Sequence, residues 1–179
     1  MTIEQFNNRT IKNKGFTLVE LLVSAALFGL TVAAASGLFS AALKAQRRSL
    51  ETQKVLDNGR YVMETVAKAL RMSEIVTSNG VQLLSLNVKN HAIKGTIIYT
   101  LENNRVKEDS SIKGADYISS SNVKVEKLYF DVSGVGTADN TQPRVTTVLK
   151  VKSLDSVGSM YQVELNFQTT VSQRNLDLP

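Results

Sequence analysis

The chain has 179 residues, 42% apolar and 21% charged, which suits one modest domain plus an anchor and excludes a chain disordered throughout. It contains no cysteine, so disulfides, thiolate metal sites and cysteine nucleophiles are excluded. The formal net charge of +5 is spread out: residues 1–15 carry +2, and residues 78–179 carry +1 from 11 basic and 10 acidic side chains. No clustered basic patch with interleaved aromatics is visible, which argues against nucleic acid as a partner.

Residues 1–15 are polar and end in Arg9, Lys12, Lys14 and Gly15. An apolar stretch then begins at Phe16 and holds one carboxylate, Glu20. From Leu21 to Leu43 there are 23 uncharged residues, enough to cross a bilayer core as one helix. An ordinary secretory signal has an apolar region of about 7–15 residues followed by a small-residue cleavage site, and this run is longer and carries Glu20 near its start. An acidic group at the head of a membrane helix is costly in hydrocarbon and is a functional-site hypothesis by default. Ala, Ser and Gly recur between Ser24 and Ala41, a composition that lets helices approach closely within a membrane. Lys44, Arg47 and Arg48 close the run, so both flanks are positive and flank charge does not orient the span.

Beyond the run, Leu56, Gly59, Met63, Val66 or Ala67, and Leu70 recur at helical spacing, with Arg60, Glu64 and Lys68 stepping along the outside. Ser78-Asn79-Gly80 reads as the stop, so the predicted helix covers Phe16 to about Thr77 and is about 90 Å long. The period then changes to two. Leu84, Leu86 and Val88 alternate with polar residues. Thr96–Glu102 and Arg105–Glu108 flank Asn103-Asn104, a pair that tolerates the positive φ of a type I′ turn. That hairpin sets Glu102 opposite Arg105 and Leu101 opposite Val106. Residues 109–122 read as a loop. Val123–Val132 is a strand whose phase slips between Val125 and Leu128, the sign of a bulge. A long loop over 133–143 precedes alternating runs at Val145–Val151 and Tyr161–Phe167. The fold class is therefore α+β, with a long N-terminal helix, half membrane-spanning and half amphipathic, on one antiparallel sheet. The division is leader 1–15, membrane half 16–43, amphipathic half 44–77 and sheet domain 78–179.

Few side chains suggest catalysis. His91 is the sole histidine and sits in a predicted surface turn. No phosphate-cradling glycine loop, metalloprotease helix or EF-hand is present. Asp131, Asp139 and Asn140 offer oxygen ligands of the kind calcium takes, without a fixed spacing; otherwise no cofactor is indicated. Lys150 and Lys152 share a strand face, with Lys124 as a third cation, and read as a solvated face.

The stretch Lys14-Gly15-Phe16-Thr17-Leu18-Val19-Glu20-Leu21-Leu22-Val23 resembles the cleavage and assembly signal of type IV prepilins and the pseudopilins of type II secretion. The resemblance implies no catalytic residue. It implies cleavage after Gly15 by a prepilin peptidase, N-methylation of Phe16, and a role for Glu20 in filament assembly. It also implies a pilin-like fold, a cytoplasmic N-terminus and a single span with the C-terminal domain outside. The partners it implies are other pilins or pseudopilins, an inner-membrane assembly platform and the lipid bilayer. Segments within 98–174 resemble, more diffusely, J-type minor pseudopilins and W-like minor pilins. A proline that bends this helix in many family members is absent, since the only prolines are Pro143 and Pro179. The C-terminal disulfide of many major pilins is absent too. Two other functions stay open on sequence: a DNA-capturing minor pilin, and a membrane-anchored binding protein that forms no filament.

Overall fold

The computed structural model describes residues 15–91, 94–136, 141–154 and 162–174. The chain divides into two units, Met1–Lys44 and Ala45–Pro179, and one helix, α1 (Leu18–Arg71), passes through both. In the first unit every described residue is exposed. Three hydroxyls within the run are bonded to the turn before them. Ser24 Oγ donates to Glu20 O at 2.7 Å, Thr31 Oγ1 to Phe28 O at 2.8 Å and Ser36 Oγ to Val32 O at 2.8 Å. Those hydroxyls therefore need no partner from an apolar surround.

In the second unit α1 buries Val55, Gly59, Val62, Met63, Val66, Ala67 and Leu70. The stripe begins at Val55, and Leu56, expected to lead it, is only half-buried. Counting back four residues from Gly59 lands on 55, so the helical phase favours Val55 for the midline. The helix also ends earlier than Thr77. Met72 N–H bonds to Ala69 O at 3.1 Å, tightening the last turn, and Ser73 Oγ donates to the same carbonyl at 2.5 Å. Lys68 and Arg71 favour that terminus electrostatically. Ser73 then enters a strand instead.

Among the described residues nine strands form two antiparallel sheets, not the single sheet expected. The five-stranded sheet runs β1 (Ser73–Ile75), β3 (Ser85–Asn90), β4 (Gly95–Glu102), β5 (Arg105–Ser110) and β6 (Gly114–Tyr117). The four-stranded sheet runs β2 (Gly80–Leu83), β7 (Val123–Ser133), β8 (Arg144–Ser153) and β9 (Glu164–Ser172). β2 leaves its neighbours in sequence to pair with β7, Gly80 opposite Val132 and Leu83 opposite Phe130. Period-two alternation reports burial of a face but not which sheet a strand joins. Leu86 and Val88 are buried as expected, whereas Leu84 lies in the β2–β3 bend and is exposed. β6 occupies part of the stretch expected to be loop.

The β4–β5 hairpin has the expected register and turn, with φ of 52° at Asn103 and 58° at Asn104. Its expected charge pair is not made. Glu102 accepts from Lys107 at 2.7 Å, while Arg105 donates from Nε and Nη2 to Ser119 O at 3.0 and 2.7 Å and lies 4.3 Å over the Tyr117 ring. The planar guanidinium fits a forked bond and an aromatic face together, which a lysine ammonium does not. The β7 bulge falls between Val125 and Lys127, as the phase slip indicates.

The core joins Val62, Val66 and Leu70 of α1 to Leu86, Tyr99, Phe130 and Leu149 of the sheets. Gly59 fits against Phe167 of β9: a Cβ there would lie 2.2 Å from the ring. Asn58 Oδ1 accepts from Ser120 N–H at 3.1 Å, tying α1 to the loop before β7. Gln173, buried after β9, accepts from Ile75 N–H at 2.9 Å and so links the end of one sheet to β1 of the other.

Candidate processing and assembly site

The residues singled out by sequence lie together at the start of α1. Gly15, Phe16 and Thr17 precede the helix outside regular structure, and Phe16 is 79% exposed. Gly15 has an ordinary φ, and a Cβ there would meet nothing within 4 Å. Nothing in this chain's own fold requires glycine at that position.

Thr17 is the N-cap of α1, and its carbonyl accepts the first helical bond from Leu21 N–H at 3.2 Å. Glu20 is the third helical residue. Its N–H donates to Thr17 Oγ1 at 3.2 Å, and its Oε2 lies 3.4 Å from both the N–H and the hydroxyl of Thr17. This reciprocal arrangement is a capping box, which satisfies two of the donors that a helix leaves unpaired at its N-terminus. The negative carboxylate also suits the positive end of the helix dipole. Thr17 was not singled out as a functional position by the sequence reading. The signal that marks it is Thr-x-x-Glu immediately ahead of an apolar run. The capping box holds the carboxylate against Thr17 at the N-terminal end of α1.

The remaining candidates stay apart from this site. His91 is exposed in the turn after β3, and its ring has no hydrogen-bond or ion partner among the described residues. Asp131 accepts from Gln82 N–H at 2.6 Å, holding a residue whose φ is +52°. Asp139 and Asn140 lie outside the described residues, and no group of three potential metal-ligating side chains occurs among the described ones. Lys150 bridges Glu164 at 2.7 Å and Glu126 at 3.3 Å, and Lys152 lies 3.6 Å from Glu126. The hydrogen bonds to Glu164 and then Glu126 hold the Lys150 ammonium above the usual lysine range. The hydrogen bond from Lys150 lowers the Glu126 carboxyl. These cations are thus paired with acids on their own sheet. Among the described residues, grooves of about 400 and 440 Å³ are lined by Met63, Ala67 and Thr169 and by Ser133, Thr141 and Arg144 among others.

Among the described residues one helix, α1, is long and apolar enough to cross a membrane, and none of its apolar window is buried. No curated protein and no solved structure matches the chain significantly. Residues 11–36 match the family model of the prokaryotic N-terminal methylation motif. The N-terminal segment, with Gly15, Phe16, Thr17 and Glu20 inside it, is therefore of prepilin type and supports a type IV pilin-like precursor.

Proposed function

We propose that this chain is a non-enzymatic filament subunit, made as a precursor, cut after Gly15 and N-methylated on Phe16. It is inserted in the cytoplasmic membrane as a single span with the second unit outside. From there it is drawn into a type IV pilus or a type II secretion pseudopilus, as a minor component of the J-type or W-like kind. Its partners on this reading are the prepilin peptidase, other pilins or pseudopilins and the assembly platform in the membrane. The observation that carries the reading is the methylation motif over residues 11–36, which overlaps an apolar helical stretch with none of its window buried.

Glu20 supplies the assembly step. Cleavage leaves an ammonium on Phe16, just ahead of the helix whose first turn carries Glu20. An incoming copy can present its own Glu20 to that amine at membrane depth. Either charge alone is penalised there, and the pair sets axial register. Gly15 belongs to the peptidase step. Among the described residues nothing lies within 4 Å of where its Cβ would be, so a demand for glycine would come from the enzyme that reads it. Gly15→Leu is expected to accumulate as full-length precursor, seen as a mass or mobility shift on immunoblots. Normal maturation of that variant would contradict the reading. The DNA-capturing alternative gains no support from Lys150 and Lys152, which are paired with acids.

A further inference from the structure

We propose that Lys44, Arg47 and Arg48 form a cationic collar that binds anionic phospholipid headgroups where the apolar run leaves the membrane, an inference that rests on the membrane-spanning reading above. The three residues follow Leu43, the last residue of the uncharged run. All three are exposed, and none has an ion-pair or side-chain hydrogen-bond partner among the described residues. The nearest acid that follows, Glu51, is engaged by Lys54 at 2.6 Å, and its side chain is only 14% exposed. Three like charges within five residues therefore face outward without a counter-charge from their own chain.

Depth decides what meets them. The polar layer on each side of a bilayer core is roughly 5–8 Å thick. Positions one, four and five residues past Leu43 lie about 1.5–7.5 Å further along a helix. With the uncharged run filling the core, all three cations fall within the headgroup layer. Guanidinium groups bind phosphate through forked hydrogen bonds, and a net negative lipid adds long-range attraction. Cleavage after Gly15 would remove Arg9, Lys12 and Lys14, which leaves the mature chain with this one cationic flank.

The chain has no tryptophan, so Leu43→Trp introduces a single reporter at the collar. The test reconstitutes full-length Leu43→Trp protein in phosphatidylcholine vesicles. These contain equal fractions of either brominated phosphatidylcholine or brominated phosphatidylglycerol as quencher. We expect stronger quenching by the phosphatidylglycerol, weakened by high salt and abolished in Lys44→Gln/Arg47→Gln/Arg48→Gln. Each cation contributes about a fivefold factor in relative association. Equal quenching by both lipids overturns the collar alone and leaves the membrane reading intact. Absence of quenching by either lipid overturns the membrane reading and the collar with it. A preference that survives the triple substitution overturns the assignment to these residues. Loss of self-association in the triple variant, with lipid preference unchanged, would assign the cations to a second copy instead.

Discussion

Glu20 has two separable properties, a side-chain oxygen that caps α1 and a negative charge. Glutamine retains the first and lacks the second, because either side chain can close a capping box. Glu20→Gln is therefore expected to be processed normally and to keep the amides of Glu20 and Leu21 protected from exchange, yet to enter filaments poorly in sheared fractions. Wild-type incorporation of that variant would remove the charge from the mechanism. Thr17→Ala should speed exchange over the same turn, since losing an N-cap costs about 0.5–2 kcal/mol. Tyr99 poses a different problem. Its side chain is fully buried on β4 and its hydroxyl makes no hydrogen bond of good geometry. Burial, and then the carboxylate of Glu108 across the strand pair, push the phenol well above the ordinary tyrosine range. With a raised folded-state pKa, the contribution of Tyr99 is constant below the ordinary value near 10 and declines as pH rises above it. Ultraviolet titration should show Tyr99 ionising only with unfolding, and Tyr99→Phe should flatten the alkaline loss of stability. Tyr99 ionising near pH 10 in the folded protein would contradict this. At this scale Glu20 could be picked out locally, as a lone carboxylate in an apolar run, and Gly15 and Phe16 only through the resemblance of the stretch around them. The partner of Arg105 could not, because Ser119 reaches it only through the tertiary fold.

Among elements, α1 and the β4–β5 hairpin were legible because each has a local period and a local stop or turn. The helix end at Arg71 was less so, since it depends on β1 pairing with β3, Ile75 opposite Val88. The contact between α1 and β9 turns on Gly59. Helix propensity alone makes Gly→Ala favourable by about 0.8–1 kcal/mol. Against that stands a Cβ placed 2.2 Å from the Phe167 ring, and overpacking of this kind costs about 1–3 kcal/mol. Gly59→Ala is expected to destabilise the protein by about 1 kcal/mol in urea unfolding. In a Phe167→Ala background the same change should become stabilising, because the obstruction is gone while the propensity gain remains. The same sign in both backgrounds would show that the ring does not set the helix–strand fit.

For the whole molecule, the distribution of burial separates two tasks. Every buried apolar side chain among the described residues lies at Val55 or later, while the described apolar residues from Phe16 to Leu43 are all exposed. A fragment of residues 45–179 should therefore be soluble and unfold cooperatively. An aggregated or unfolded fragment would mean that the first unit contributes to the core. The sequence disclosed this split through its change from an unbroken apolar run to helical and then two-residue periods. It did not disclose two sheets, because alternation in β2 and β3 carries no record of which partner each strand takes. The proposed function turns on one event, cleavage after Gly15 that would free an amine on Phe16. Intact-mass and N-terminal peptide mass spectrometry of protein purified from its native membranes tests that event directly. The account predicts a chain beginning at N-methylated Phe16, and a chain beginning at Met1 or at any other residue would contradict it.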